Sequence, residues 1–581
     1  MSKSSGDFRF RKNDNVGAYD AEDDQRFLSM CFEDTGDCET LLDCKHPARI
    51  VLGRTGTGKT ALVLELQRRS EHVIAINPEH LSLNYVANST ILQYLTSLGI
   101  NLDPFYKLLW RHVFAVTLIQ HRFDITDEEK QKGFLEHLRE YFESKDVKAE
   151  RHKQVERRRK AIEYLRKWGD KFFQDVEHRT KEVATHFETE VADAVKAKLG
   201  YDLRAKLPPV SSAISGHAEA STETKDKMQI DQTTEIIERA KHAVNSIQVQ
   251  ELGGIIELLS EILDDPQKPF FIVIDRLDEQ WADEAVRYNL LKGLIDAVKE
   301  FGKVHYAKII ICLRIDLIEQ LFRHVRSEAG FQEDKYRSLY LPLRWNREHL
   351  IALLDRRIAA LIRDRYTGYT PTHKDILPPS VRVGQRKDKQ NTIDFILART
   401  WNRPRDIIEF LNLSIGRCEG KPRLTQEVIL DVEADYSRNR LRAIYQEWYK
   451  DYFELPEAVK AFVEKRPSRY LLNEITQTTI NDWSLAVACT QPQTKGRLWD
   501  LAAKFIGCEL PEADFRRNLA SILYRTGIVG LKMTSTSPVR WADNESYTIA
   551  LAELDDQVQV YVHPGLWRVL GITHMDGEQN E

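Results

Sequence analysis

Residues 53–60 read Gly53-Arg54-Thr55-Gly56-Thr57-Gly58-Lys59-Thr60, and few stretches of eight residues leave a chain so little structural choice. The spacing satisfies G-x-x-x-x-G-K-[ST] in full. It follows a compact apolar run, Arg49-Ile50-Val51-Leu52, and leads into TALVLELQRR, whose apolar residues recur at helical intervals. A strand, a glycine turn and a helix are therefore expected in that order. The glycines let the backbone curl so that successive N–H groups point at an anion, and the helix adds its positive dipole end. Lys59 is placed to reach the β- and γ-phosphates of a nucleotide, and the Thr60 hydroxyl to coordinate Mg²⁺. Gly53, Arg54, Thr55, Gly56, Thr57, Gly58, Lys59, Thr60 and Ala61 are the expected nucleotide-binding residues, with ATP and Mg²⁺ as cofactors. The competing reading is a tight glycine turn that holds no ligand.

A phosphate loop needs an acidic partner for its metal, and Phe271-Ile272-Val273-Ile274-Asp275 supplies one. An apolar strand ending in Asp puts the carboxylate at the carboxyl edge of a sheet, where ligands of open α/β sheets sit. Asp275 is the expected Mg²⁺ partner. The chain continues Arg276-Leu277-Asp278-Glu279, and Asp278 or Glu279 is expected to orient the attacking water. Helix N-capping is the alternative role for these two acids.

The rest of the chain narrows the setting. Its 581 residues imply several domains, and 42% apolar with 30% charged residues excludes collagen-like and wholly disordered classes. With 84 Lys or Arg against 89 Asp or Glu, the net charge of −5 argues against a nucleic-acid binder over its whole surface. No apolar run approaches the roughly 18 residues of a membrane helix, and the start MSKSSGDFRFRKND lacks the apolar stretch of a secretory signal. The seven scattered cysteines form no C-x-x-C pair, so a reducing, cytoplasmic setting without membrane contact is expected. Cys31, Cys38, Cys44 and His46 lie close in sequence, but their irregular spacing favours packing over zinc. HVIAIN at 72–77, PFFIVID at 269–275 and AKIIICLR at 307–314 read as further strands, the last two as central parallel strands. Their alternation with helical stretches is the α/β signature.

Strand, phosphate loop and then IVIDRLDE resemble the STAND class of signal-transduction NTPases, including the KAP-type ATPases, and are similar to origin-recognition-type AAA+ proteins. The resemblance covers residues 45–125 and 250–445. It implies an α/β P-loop NTPase core at 48–345, interrupted by a helical insertion at 126–235 that includes a loop at 207–234. A helical lid at 346–447 follows, then a winged-helix-like domain at 450–581, with an N-terminal segment at 1–47. The resemblance makes Arg314, followed by Ile315-Asp316, a sensor, and Arg405 of Asn402-Arg403-Pro404-Arg405-Asp406 a second sensor on the lid. The alternatives are ion pairs of Arg314 with Asp316 and of Arg405 with Glu409. Arg323 and Arg326 occupy the region of a trans-acting arginine finger, with a solvated helix face as the plainer reading. Two departures stand out. Arg276 occupies the place of the catalytic Glu of ordinary AAA+ proteins, which implies slow hydrolysis. In addition, Lys59 and Asp275 lie 216 positions apart.

Within the insertion, Lys148–Lys171 holds ten Lys or Arg against four acids, with Val155, Ile162, Leu165 and Trp168 at helical intervals. This basic helix either contacts nucleic acid or pairs with the acidic stretch Glu182–Asp193. In the last segment, Glu512–Thr526 reads as a helix carrying Phe515, Leu519, Ile522 and Leu523 on one face. GIVGLK, SYTIALAEL and QVQVYVH read as strands after it. Residues 451–581 carry 13 Lys or Arg against 18 Asp or Glu, so a protein partner suits this module better than DNA. The expected function is a slowly hydrolysing ATP switch that changes conformation or assembly, as a homo-oligomer or through an effector protein. The STAND resemblance adds a place in bacterial defence against phage. The alternatives are a nucleic-acid loader using 148–171 and a non-hydrolysing scaffold.

Overall fold

Five apolar segments of the computed structural model pair as one parallel sheet: β1 (Ile50–Leu52), β2 (Val73–Ile76), β3 (Phe270–Ile274), β4 (Ala307–Leu313) and β5 (Tyr340–Pro342). The structure describes residues 8–81, 103–122, 256, 259–260, 263, 265–279, 281, 284–326, 333–363, 370–384, 387–489, 496–542 and 549–573. The expected insertion at 126–235, with the basic stretch 148–171 and the loop 207–234, lies outside these residues. The chain divides into two compact units. One comprises Gly36–Gly53 and Leu62–Pro342; the other comprises Met1–Thr35, Arg54–Ala61 and Leu343–Glu581.

In the first unit the strand order is β2-β3-β4-β1-β5. Ile50 stands opposite Ile311 and Leu52 opposite Leu313, while Ile274 on the other flank of β4 also pairs with Ile311. The two strands expected at the centre, β3 and β4, are buried at every residue. β5 carries little signal in the sequence because it is three residues long and ends in Pro342, a residue tolerated on an edge strand. Helices Asp103–Arg122 and Glu284–Glu300 pack together in the same unit. Trp110 donates its indole N–H to Leu290 O at 2.9 Å and meets Trp281 edge-on at 6.3 Å. Gly293 permits the close approach, since a Cβ there would come within 2.8 Å of the Tyr106 and Lys107 backbone.

One polar residue interrupts the buried run of β4. Lys308 is fully buried and donates to the carbonyls of Thr40 at 2.9 Å and Asp43 at 2.7 Å. Burial, reinforced by neighbouring Arg49, lowers its pKa from 10.5 to about 8. The unfolded chain then holds a proton between those two values that the folded chain has lost, so folding stability gains with rising pH across that window. The stability difference between wild type and Lys308→Met, measured by denaturant unfolding, is expected to shift in favour of wild type from pH 8 to 10.5. A flat difference would contradict this burial.

The second unit is mainly helical over 347–447, as its sequence suggests, through helices Arg347–Arg363, Thr392–Arg399, Pro404–Gly416 and Gln426–Glu447. A hairpin of β6 (Ser380–Val383) and β7 (Asp388–Asn391) stands among them unannounced, because Asp-Lys-Gln-Asn carries no apolar alternation. Residues 8–32 are tied to this unit: Phe10 is buried and exchanges backbone hydrogen bonds with Lys421 and Gly420, and Asp24 pairs with buried Arg357 at 2.5 Å. Further along, β8 (Arg469–Leu471), β9 (Val529–Lys532) and β10 (Gln559–Val562) form an antiparallel sheet in the order β8-β10-β9. It accompanies helices Leu455–Phe462, Gln477–Ala488, Arg497–Ile506 and Glu512–Arg525 around Phe462, Trp483 and Phe515.

SYTIALAEL is not a strand over its described residues, which contribute a single turn of 3₁₀ helix, Leu551–Glu553. Ile549 and Leu554 are buried while Leu551 is exposed, a spacing that does not alternate, and β8 takes the pairing position beside β10. Among the described residues no helix is long and apolar enough to cross a membrane, and no cluster of His, Cys, Asp or Glu is placed to hold a metal ion. Cys31 and Cys38 are buried, Cys44 is half-buried, and the His46 ring accepts from the Ala48 N–H.

Candidate functional site

The glycine loop leaves β1 at Gly53, whose N–H donates to Leu313 O at 3.3 Å at the carboxyl end of the sheet. Gly56 and Gly58 have φ of 82° and 96°, in the left-handed region that a side chain makes costly. Space at Gly56 is tight as well, since a Cβ would lie 3.0 Å from Arg405 Cβ and push on that side chain. The Arg54 carbonyl accepts the Thr57 N–H at 3.3 Å, the Thr57 hydroxyl at 2.8 Å and the Lys59 ammonium at 3.0 Å. Three donors on one oxygen curl the segment, and the ammonium lies folded back over it. Lys59 opens helix Lys59–Arg69, with Thr60 and Ala61 in its first turn, so the positive end of the helix dipole lies at these residues.

Residues of the same unit grip the loop by its carbonyls. The Trp345 indole N–H donates to Thr57 O at 2.9 Å, the Arg405 N–H to Gly56 O at 3.4 Å and the Arg403 guanidinium to Thr55 O at 3.4 Å. The Thr55 hydroxyl donates to Glu447 at 3.5 Å, and buried Arg54 donates to the Arg525 carbonyl. Trp401 and Asn402, just before this stretch, have φ of 48° and 49°. Two successive non-glycine residues in the left-handed region cost on the order of 1–2 kcal/mol each. The surroundings hold them there: Trp401 stacks on His563 at 3.7 Å and donates to Gly527 O at 3.1 Å.

Arg405, expected as a lid sensor or as a partner of Glu409, makes its ion pair with Asp20 at 2.8 Å. Nothing in the local spacing around either residue signals that pairing, which joins positions 385 residues apart. The Glu409 carboxyl is pushed up by burial first and by Asp406 second, against smaller lowering by Asn439, Arg440 and Arg405.

The acidic residues belong to the sheet unit. Asp275 follows β3 directly, and Arg314 follows β4, the strand between β3 and β1. Arg276 adopts φ 60° and lies 3.8 Å from Glu279, whose N–H closes a turn on the Arg276 carbonyl at 3.1 Å. Asp278 and Glu279 therefore occupy a turn, and the next described helical residue is Glu284. Arg314 clasps Asp316 through two hydrogen bonds of 3.0 and 2.8 Å and lies 3.8 Å from Asp278. The ion pair weighed as its alternative role is thus formed, and a second carboxylate shares it. The Glu279 carboxyl sits above its ordinary range: burial raises it most, Glu79, Asp278 and Asp275 raise it further, and Arg276 opposes them. Glu79, from the turn after β2, carried no signal in the sequence. Arg323 and Arg326 fall on helix Ile315–Arg326, but their side chains lie outside the described residues.

A family described as the FunZ-associated C-terminal helical domain matches residues 348–445, the helices that follow Trp345. No curated protein matches the chain.

Proposed function

We propose that this chain is a Mg²⁺-dependent ATPase that turns over slowly and works as a conformational switch of STAND type. The observation that carries the reading is the glycine loop: two left-handed glycines, a lysine ammonium folded over it and a helix opening at that lysine. Lys59 would hold the β- and γ-phosphates, Thr60 and Asp275 the metal ion, and Glu279 the attacking water. A phosphate entering the loop would give the Lys59 ammonium a charge-assisted hydrogen bond, which favours binding.

Slow turnover follows from Arg276, which stands where an activating Glu is expected and pairs with Glu279 instead. A rate below the roughly 1–100 s⁻¹ of dedicated phosphoryl-transfer enzymes suits a timer better than a motor. The contacts of Arg403, Arg405 and Trp345 with the loop link any movement there to the helices of 347–447. In the winged-helix-like segment the cations of helix Glu512–Arg525 are already engaged, Arg516 by Glu512 and Asp556 and Arg517 by Asp514. That favours a protein partner over DNA at this helix. A role in phage defence is what the STAND resemblance adds.

The switch is tested by the solution mass of the full chain without nucleotide, with ADP and with ATP. The mass is expected to differ between the ATP and ADP states. An identical mass and hydrodynamic radius in all three conditions would overturn the switch reading.

A further inference from the structure

A cavity of about 350 Å³ opens beside the glycine loop, within the unit that carries Leu343–Glu581. Of the loop it touches only Arg54 and Thr57, variable positions of the G-x-x-x-x-G-K-[ST] pattern. Lys59 and Thr60, which the phosphate and metal chemistry requires, do not line it. Its wall instead carries four arginines, Arg54, Arg344, Arg347 and Arg403, and no acidic residue. Arg54 and Arg403 are buried, at 5% and 2% exposure, whereas Arg344 and Arg347 stand at the exposed rim.

Four guanidiniums line one small cavity and raise its positive potential, although Arg347 shares its charge with Asp394 at 2.7 Å, and a guanidinium's planar fork is the geometry that matches phosphate oxygens. The two buried ones are fixed before a ligand arrives, by their bonds to the Arg525 and Thr55 carbonyls. Trp345 adds a half-buried ring whose plane is set by its bond to Thr57 O, and Asn346 and Asn402 add amides that both donate and accept. The volume lies at the lower end of small-molecule pockets. Together these select a compact ligand with several negative charges and a flat polar ring.

We propose that this cavity is a second anion site, distinct from the Lys59 and Thr60 chemistry, that takes one nucleotide unit through its phosphates. The unit is either a free nucleotide or the phosphorylated end of a single strand. Because Arg54, Thr57, Arg403 and Trp345 also hold the glycine loop, occupancy here bears directly on the shape of that loop.

The test is equilibrium binding of ATP to the full chain, counted per chain, in wild type, Lys59→Ala and Arg344→Glu with Arg347→Gln. Two equivalents are expected in wild type and one in Lys59→Ala. In the Lys59→Ala background the arginine changes should weaken the remaining site about tenfold or more. Arg344→Glu alone, at the exposed rim, serves if the double change disturbs folding. A single equivalent lost in Lys59→Ala and retained in the arginine variant would overturn the proposal. The opposite pattern, retained in Lys59→Ala and lost in the arginine variant, would support the cavity and overturn the glycine-loop reading instead. Displacement of ATP from the Lys59→Ala chain by a 5′-phosphorylated tetranucleotide at lower concentration than by AMP would assign a strand end, and the reverse order a free nucleotide.

Discussion

Asp275→Asn is expected to weaken Mg²⁺-dependent nucleotide binding, whereas Glu279→Gln should leave binding near wild type and lower turnover by about 10²–10⁴-fold. The two acids stand four residues apart, and the proposed function gives them different work. Asp275 directly follows a fully buried strand at the carboxyl edge of the sheet, the position the proposed function needs for a metal partner. Glu279 lies farther along the turn and has its carboxyl raised by burial and by three neighbouring carboxylates. A base must be ionised to act, so turnover should fall as pH drops through that raised value, above the range of an ordinary glutamate. Arg276 is the cation that restrains the rise, so Arg276→Ala should move the acid limb to still higher pH. Steady-state rates across pH, set beside nucleotide titrations of each variant, check both parts. Equal loss of binding in Asp275→Asn and Glu279→Gln would contradict this division of labour.

The largest stability effect is expected from Glu433→Ala. Glu433 pairs with Arg399, both side chains being only 6% exposed, and the same guanidinium lies 3.5 Å from the centre of the Phe395 ring. Burial lowers the pKa of Arg399, and Glu433 is the charge that opposes the lowering. Removing the carboxylate strands a buried cation, which typically costs about 3–5 kcal/mol. The midpoint of denaturant unfolding of the full chain should fall accordingly, and Glu433→Gln, which keeps a hydrogen-bond acceptor, should fall less. A change below about 1 kcal/mol in Glu433→Ala would show that Arg399 finds other compensation.

The sheet was legible because its strands are written in runs of β-branched and apolar residues, IVL, FFIVI and AKIIICL, bounded by turns. The hidden elements are those in which local composition and structure part company. β5 and β8 are three residues long, and the hairpin β6–β7 has a polar second strand. SYTIALAEL misled because its alternation is chemical only: Leu551 points to solvent and the sheet is completed from β8, some 80 residues earlier in sequence. The same divide runs through the site. Spacing alone marks Gly53–Thr60 and Asp275, since the backbone conformation and the charge are local properties. Trp345 on Thr57, Asp20 on Arg405 and Glu79 beside Glu279 are contacts between distant positions, decided by tertiary packing. The left-handed pair Trp401–Asn402 is hidden for another reason, because tryptophan there is held against its own preference by His563 and Gly527.

Release of phosphate from ATP by the full chain, wild type beside Lys59→Ala, bears most directly on the proposed activity. Lys59 is half-buried and donates to the Arg54 carbonyl within its own loop, and its truncation is expected to leave thermal unfolding nearly unchanged. Mg²⁺-dependent phosphate release below the roughly 1–100 s⁻¹ of dedicated enzymes is expected in wild type, with none above background in the variant. Equal release by the two chains, or none from wild type in the presence of Mg²⁺, would contradict the account.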